Sequence, residues 1–190
     1  MTTYTSQYPP AHNDTYVKAT TTWPTYFAPY YATDPSKSLT GSNWYTIWAA
    51  ADYSVVNQRF HIDLGAGKTI KRIYYENHHD SGLNTEGGVK NFTFWGSNEA
   101  TAFANLTYAT DTDWTQLTTS QSTFQKHVAA DQADPQYITV TNTTAYRYYA
   151  FKFANNYGNG RILGVRRIVL QTEDSAGTST AKSCRTYIIL

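Results

Sequence analysis

Three segments between residues 57 and 97 alternate apolar and polar residues with the period of two that is typical of half-buried strands. Gly65-Ala-Gly67 lies between the first and second segments and can supply the positive φ that a tight connection needs. The pattern therefore predicts strand, tight turn, strand, long polar loop, strand. The apolar positions are Phe60, Ile62 and Leu64 in the first segment, Ile73 and Tyr75 in the second, and Phe92 and Phe94 in the third.

The predicted loop over residues 76–88 is rich in side chains that can bind a ligand. A rigid apolar sheet that carries a long polar loop is a common plan of binding proteins. Serine-hydrolase elbows, phosphate-binding loops and zinc motifs are absent from the sequence. We therefore predict a binding protein and not an enzyme, with a glycosidase built on Glu76, Asp80 and Glu86 as the weaker alternative. The polar residues of the loop are Asn77, His78, His79, Asp80, Asn84 and Glu86.

Several short motifs follow one another in the order seen in a known family. Residues 60–65 (FHIDLG), 73–75 (IYY) and 89–97 (VKNFTFWGS) together resemble the discoidin or coagulation-factor C-type domain, and equally the galactose-binding carbohydrate modules of the same fold. The resemblance extends over about residues 20–173. It implies an all-β, galactose-binding-domain-like jelly-roll β-sandwich of about eight antiparallel strands, which binds glycans, lipid head groups or proteins through loops at one end. The further matching segments are residues 46–48 (TIW), 114–117 (WTQL), 145–153 (AYRYYAFKF) and 165–171 (VRRIVLQ).

Composition agrees with a single all-β domain and excludes two partner classes. The 190 residues are enough to bury a core, and 41% of them are hydrophobic while only 15% are charged. Fifteen Lys and Arg residues against 14 Asp and Glu residues give a net charge of +1, which leaves no basic footprint for nucleic acid. No apolar run approaches the ~20 residues of a membrane helix. We predict neither nucleic-acid binding nor membrane insertion.

Candidate ligand-binding residues follow from the chemistry of saccharide recognition. Such sites combine an aromatic platform with amide, carboxylate, imidazole or guanidinium groups that fix hydroxyls. The resemblance places an Arg of the sugar-binding relatives at His78, which lacks the guanidinium fork, so a preference for galactose does not follow. The alternatives are that the Asn and Gly residues only make turns and that Trp44 packs into the core. The candidates are His78, His79, Asp80, Asn155, Asn156, Tyr157, Arg161, Trp44 and Tyr45.

No cofactor is predicted. His78, His79 and Asp80 are adjacent, and adjacent residues on an extended chain point in opposite directions, so they indicate no metal site. The resemblance implies a structural calcium in the loop before residues 46–48, held by an Asp-Gly pair and a C-terminal Glu. Here Thr40-Gly41 and Arg167 stand at those positions. Calcium held by Asp34 and backbone carbonyls remains the alternative.

The chain divides into an extended N-terminal arm (1–19), the discoidin-like β-sandwich (20–173), and a linker with a C-terminal strand or tail (174–190). The end Ile188-Ile-Leu190 is apolar, so we expect it to dock on another surface, with a frayed end as the alternative. Cys184 is the single cysteine and can form no intrachain disulfide.

The N-terminal residues have neither the basic nor the apolar region of a secretory signal. A glycan-binding type of domain without signal or disulfide indicates an exposed phage virion protein, in a tail or capsid, or a secreted protein whose signal was removed. The expected location is thus a virion or an extracellular surface, and the expected function is cell adhesion through cell-surface carbohydrate or a glycoconjugate. The alternative is a structural subunit whose sandwich and terminal arms assemble as a homo-oligomer or with other virion proteins.

Overall fold

The structure, a computed structural model, describes residues 2–174 and contains ten strands and one short helix within them. The helix α1 spans Ala100–Ala104, and two 3₁₀ turns span Pro29–Thr33 and Thr85–Gly87. The strands are β1 (Tyr4–Gln7), β2 (Val17–Ala19), β3 (Trp48–Ala49), β4 (Gln58–Lys68), β5 (Ile70–Asn77), β6 (Phe92–Ser97), β7 (Thr115–Thr119), β8 (Gln136–Thr141), β9 (Tyr146–Phe153) and β10 (Gly164–Glu173).

The strands form two antiparallel layers. One layer has the order β1-β10-β5-β8, with β3 also paired to β10, and the other has the order β2-β4-β9-β6-β7. The layers join on one side, where Thr118 of β7 pairs with Thr141 of β8. The predicted all-β jelly-roll sandwich is confirmed, with ten strands in place of about eight.

Strand β4 is buried on both of its faces, although apolar and polar residues alternate along its sequence. Phe60 and Ile62 belong to the main core between the layers. Arg59 and His61 point to the other face, and they are also fully buried. The reason is that α1 and the loop after it cover this face, where His61 Nδ1 lies 3.0 Å from the carbonyl oxygen of Phe103. The half-buried strand predicted from the pattern is thus covered by a segment that is distant in sequence.

The tight turn predicted at Gly65 is a bulge inside a longer strand. Strand β4 continues to Lys68, and its pairing with β9 shifts register between Asp63 and Lys68. Gly65 has a φ of +74°, and a Cβ there would lie 2.6 Å from Cγ of Pro10. Glycine is therefore required both by the backbone conformation and by the close approach of the N-terminal segment.

The N-terminal segment takes part in both layers. Tyr4 pairs with Glu173 at the outer edge of one layer, and Val17 pairs with Ile62 in the other. The boundaries drawn at residues 19 and 174 stay a prediction. The expectations for Cys184 and the apolar C-terminal end lie outside the described residues.

Phe124 lies in the long loop between β7 and β8 and anchors that loop to the core. Its side chain is fully buried, and its ring stacks on Tyr75 with centroids 3.9 Å apart. It also meets the ring of Phe92 edge-on at 4.8 Å.

We expect Phe124→Ala to lower the free energy of unfolding by about 3 to 5 kcal/mol, because it leaves a cavity between packed aromatic rings. Urea denaturation followed by tryptophan fluorescence measures the change. Leu83→Ala is the matched control, since Leu83 is 69% exposed and its loss should change stability by less than about 0.5 kcal/mol. Equal stabilities of the two variants would contradict this account of the loop.

Candidate functional site

Five loops converge at one end of the sandwich. The registers place Gln58 and Phe92 beside Phe153, so β4 and β6 begin where β9 ends. In the other layer, Val165 at the start of β10 pairs with Asn77 at the end of β5. The loops at this end comprise residues 20–47, 50–57, 78–91, 120–135 and 154–163.

An open cleft of about 370 Å³ lies among these loops. Its shape and composition suit a small ligand with one apolar face, because apolar walls surround a few polar groups. The apolar wall consists of Trp23, Tyr26, Phe27, Trp44, Ala49 and Ile162, and the polar groups belong to Asn43, Asp80 and Asn84.

The aromatic wall presents a broad ring surface to solvent. Trp44 is 55% exposed, and its ring lies over that of Tyr26 with centroids 4.7 Å apart. Tyr45 is 45% exposed and meets Tyr26 edge-on at 5.2 Å. The backbone N–H of Tyr45 donates to the carbonyl oxygen of Tyr26 at 2.9 Å, which ties two parts of the loop 20–47 together. Trp44 is therefore a surface ring packed on Tyr26 and not a core residue.

The polar side of the cleft holds a buried amide with unused bonding capacity. Asn43 is buried, and its backbone N–H donates to Oδ1 of Asp80 at 3.2 Å. Within residues 2–174, the side-chain Oδ1 of Asn43 has no hydrogen-bond partner. Leaving a buried polar atom unpaired costs about 1 to 3 kcal/mol, so a water or a ligand is expected there.

A second exposed aromatic lies beyond the rim. The Arg161 guanidinium lies 4.8 Å from the Trp23 ring and 5.9 Å from the ring of Tyr53, which is 71% exposed. Arg161 also donates to both carboxylate oxygens of Asp52, at 2.7 and 3.0 Å. These hydrogen bonds hold the pKa of Asp52 below its usual value and raise that of Arg161. The rim is therefore charge-neutral while remaining aromatic.

The rings of His78 and His79, two of the candidate ligand-binding residues, are fully buried among the loops. Both ring nitrogens of His78 are buried without a hydrogen-bond partner among the described residues, and burial lowers its pKa to about 3. The Nδ1 of His79 accepts from the backbone N–H of Gly82, its Nε2 lies 3.0 Å from the carbonyl oxygen of Leu39, and its ring stacks on His127. Because the loops on either side close over them, these rings support the site and are not positioned to contact a ligand.

The amide-rich loop after β9 is held by its own side chains. Asn155 Oδ1 accepts from the backbone N–H of Asn91, and Asn156 Nδ2 donates to the carbonyl oxygen of Ile162 at 2.6 Å. The hydroxyl of Tyr157 donates to the carbonyl oxygen of Phe124. None of these three predicted residues lines the cleft, and they instead shape the loop that presents Ile162 and Arg161.

Of the predicted site residues, Trp44 and Asp80 line the cleft, while Tyr45 and Arg161 flank it. The sequence reasoning missed the aromatic wall formed by residues 23–27. Three aromatic residues within five positions of a Pro-containing loop were a signal that could have found it. The cleft residues absent from the list of candidates are Trp23, Tyr26, Phe27, Asn43, Ala49, Asn84 and Ile162.

The three carboxylates considered for a glycosidase are each engaged by neighbours. Glu76 is buried and accepts from the Tyr74 hydroxyl and from the backbone N–H of Asp134. Glu86 pairs with Lys126 at the surface, which leaves Asp80 at the cleft without a second carboxylate beside it in the lining. Within residues 2–174, no cluster of three or more His, Cys, Asp or Glu side chains could hold a metal ion. The same residues include no helix that is long and apolar enough to span a membrane.

Comparison with known proteins assigns a family. The DUF5000 family, a domain of unknown function, matches residues 37–170, well over half of the chain. The chain belongs to the DUF5000 family. No curated protein matches it.

Solved structures similar to this DUF5000 protein share its fold at low sequence identity. The family 32 carbohydrate-binding module of NanJ from C. perfringens, in complex with galactose, is 11% identical with a TM-score of 0.60, over 90% of this chain and all (100%) of that one. Chitosan-binding module 1 of a chitosanase/glucanase from Paenibacillus sp. IK-5 is 19% identical with a TM-score of 0.52, over 81% and 92% of the two chains. Truncated AlyQ, with family 32 carbohydrate-binding and alginate lyase domains, is 15% identical with a TM-score of 0.60, over 92% of this chain. This protein spans only 35% of the AlyQ chain. The discoidin-like fold is therefore confirmed.

The buried His78 makes stability sensitive to mild acid. Its pKa is lowered by burial from 6.5 to about 3, so the unfolded chain takes up a proton that the folded one does not as pH falls through this window. Between about pH 7 and about pH 5, we expect the free energy of unfolding to fall by about 2 kcal/mol more in the wild type than in His78→Leu. Urea denaturation of both proteins at both pH values measures the difference. The stability of His78→Leu should still fall somewhat with pH, because burial also lowers the pKa of His61 and His79 to about 4. An unchanged pH dependence would show that the His78 imidazole is not held neutral by burial.

Proposed function

We propose that this protein is a non-catalytic module that recognises carbohydrate at the cleft among its loops. The observation that carries the proposal is the exposed Trp44 platform beside the buried Asn43 amide and the Asp80 carboxylate. A pyranose offers an apolar face to an aromatic ring and hydroxyls to amide and carboxylate groups. The similar structures include a module in complex with galactose and a chitosan-binding module, which supports a saccharide ligand without selecting one.

Binding at this cleft would rest on ring stacking and short-range hydrogen bonds. Asp80 would accept hydroxyl hydrogens, and the Asn43 amide can both donate and accept. Arg161 is already paired with Asp52, so this arginine is not free to bind an acidic sugar. A single site of this kind binds weakly, and several copies presented together would provide avidity.

The ligand extends beyond one sugar ring under this proposal. Exposed aromatic surface lies on both sides of the cleft, with Trp44 on one side and Tyr53 beyond Arg161 on the other. A glycan chain lying across the cleft would stack on both, whereas a monosaccharide could use only one.

The biological setting forms part of the proposal. Cell-surface carbohydrate recognition, with the protein exposed on a virion or another extracellular surface, fits a binding end rich in exposed aromatic rings. The second candidate function is assembly, as a homo-oligomer or with other virion proteins. The outer edges of β1 and β2, which end the two layers among the described residues, favour it because edge strands can pair with another chain. Light scattering across a range of protein concentrations tests assembly, and a monomer at every concentration would exclude self-assembly.

The decisive experiment for the binding function is titration of oligosaccharide panels with tryptophan fluorescence as the readout. Neutral, amino-sugar and uronic-acid oligomers of matched length should be compared at low and high salt. We expect saturable quenching by neutral or N-acetylated amino-sugar oligomers with little effect of salt, because screening acts mainly on exposed charges. Absence of binding to every panel by folded protein would refute the proposed function.

We expect Trp44→Ala to weaken glycan binding by about 1 to 2 kcal/mol through loss of stacking area, measured by calorimetric titration. Tyr137→Ala is the matched control, because Tyr137 is an exposed aromatic residue, 51% accessible, on β8 and outside the cleft lining. Similar losses in both variants would place the binding face elsewhere.

We expect Tyr53→Ala to reduce the affinity for long oligosaccharides by about 1 kcal/mol while leaving the affinity for a monosaccharide unchanged. Comparing oligosaccharides of different length separates the contribution of Tyr53 from that of Trp44. If affinity is independent of chain length in the wild type, the ligand is a single terminal sugar, and the extended-chain proposal fails while carbohydrate binding stands.

A further inference from the structure

A buried guanidinium lies at the point where two loops of the candidate site meet. Arg166 is fully buried on β10, and its Nη1 donates to the carbonyl oxygens of Ser38 and Thr40 at 3.1 and 3.2 Å. Its Nη2 donates to the carbonyl oxygens of Gly41 and His79, both at 2.9 Å. Four main-chain oxygens from two loops thus converge on one positive group.

The neighbouring arginine extends this arrangement. Arg167 is also buried, and its Nη2 donates to the carbonyl oxygen of Lys37 at 2.6 Å. Asp131, in the loop before β8, binds the same segment: its Oδ1 accepts from the backbone N–H of Gly41 at 2.6 Å. The segment 37–41 is therefore fastened by side chains from β10 and from the loop before β8.

This arrangement does not fit the structural calcium that the fold resemblance implies for the same loop. Calcium takes six to eight oxygen ligands, including carboxylates, at about 2.3 to 2.6 Å. Here the converging oxygens are main-chain carbonyls that already accept charged N–H groups, and Thr40 stands where the discoidin resemblance implies an Asp. A divalent cation on the same oxygens would lie within a few ångströms of the guanidinium and would be repelled by it.

We propose that the Arg166 guanidinium is a built-in cation that takes the place of calcium in this loop and positions the two segments bearing the binding residues. The fork of Arg166 joins segment 38–41, which leads into Asn43 and Trp44, to His79, which precedes Asp80. Nearby Asp131, Asp80 and Glu76 favour its charge. Although burial lowers the pKa of Arg166 to about 10, the group remains protonated at neutral pH.

Wild-type protein provides the first test, which is independent of whether the protein binds glycans. The thermal midpoint should be measured after dialysis against EDTA and again with calcium added in excess. We expect the two midpoints to agree and calorimetric titration with calcium to show no saturable binding. A midpoint raised by several degrees in calcium, or micromolar calcium binding, would overturn the proposal, because a ligand of the native state must stabilise it.

Variants test the positioning role. Arg166→Lys keeps the charge but cannot span four carbonyls, and Arg166→Gln removes the charge. Hydrogen exchange should accelerate by at least about tenfold in residues 38–43 and 79–82 in both variants, with the larger effect in Arg166→Gln. Arg147→Lys is the matched control, because Arg147 forms a two-point ion pair with Asp63 near the start of β9, at the other end of the sandwich.

The outcomes are distinct. Faster exchange confined to those two segments in the Arg166 variants, but not in Arg147→Lys, supports the proposal. Unchanged protection of segment 38–43 in the Lys variant would overturn it even if the Gln variant fails to fold.

Discussion

Arginine side chains that are buried against main-chain carbonyls hold the long loops of this sandwich in place. Irregular segments lack the regular pairing of strands, so their buried carbonyls need donors from elsewhere. A guanidinium supplies five donors in a rigid fork and can satisfy several carbonyls at once. Arg166 does this for the loop before β3, and Arg59 does it on the opposite layer, where its Nε donates to the carbonyl oxygen of Thr107 at 2.9 Å.

This constraint links the core to the candidate site. Both arginines extend from strands, so the positions of β4 and β10 determine where the loops bound to Arg59 and Arg166 lie. The segment carrying Asn43 and Trp44 is fixed through Arg166, and the segment carrying Asp80 is fixed through the same group. A binding surface on loops can then be preorganised without regular secondary structure, which lowers the entropy lost when a ligand binds.

Local patterns in the sequence predicted the strands because alternation over a few residues is a local property. The positions of Phe60, Ile62, Phe92 and Phe94 in the core follow from it directly. The burial of His78 could not be predicted in this way, because the groups that cover it come from segments far away in sequence. Local composition identified Trp44 and Asp80, whereas the wall around Trp23 depends on how residues 20–47 fold back onto the loop end.

Backbone strain gives an independent indication of where function resides. Among residues 2–174, seven non-glycine residues have positive φ, and all except Asp113 lie in the loops at the end that carries the cleft. Tyr45 and Tyr53, both at 61°, are bulky residues for which this conformation is unfavourable. Such strain persists only where the surroundings impose it, and in folded proteins it concentrates at binding and catalytic sites. Here the strained residues include Tyr45, which flanks the cleft, and Tyr53, which lies beyond its rim, so the backbone conformation of these turns sets the direction of two exposed rings.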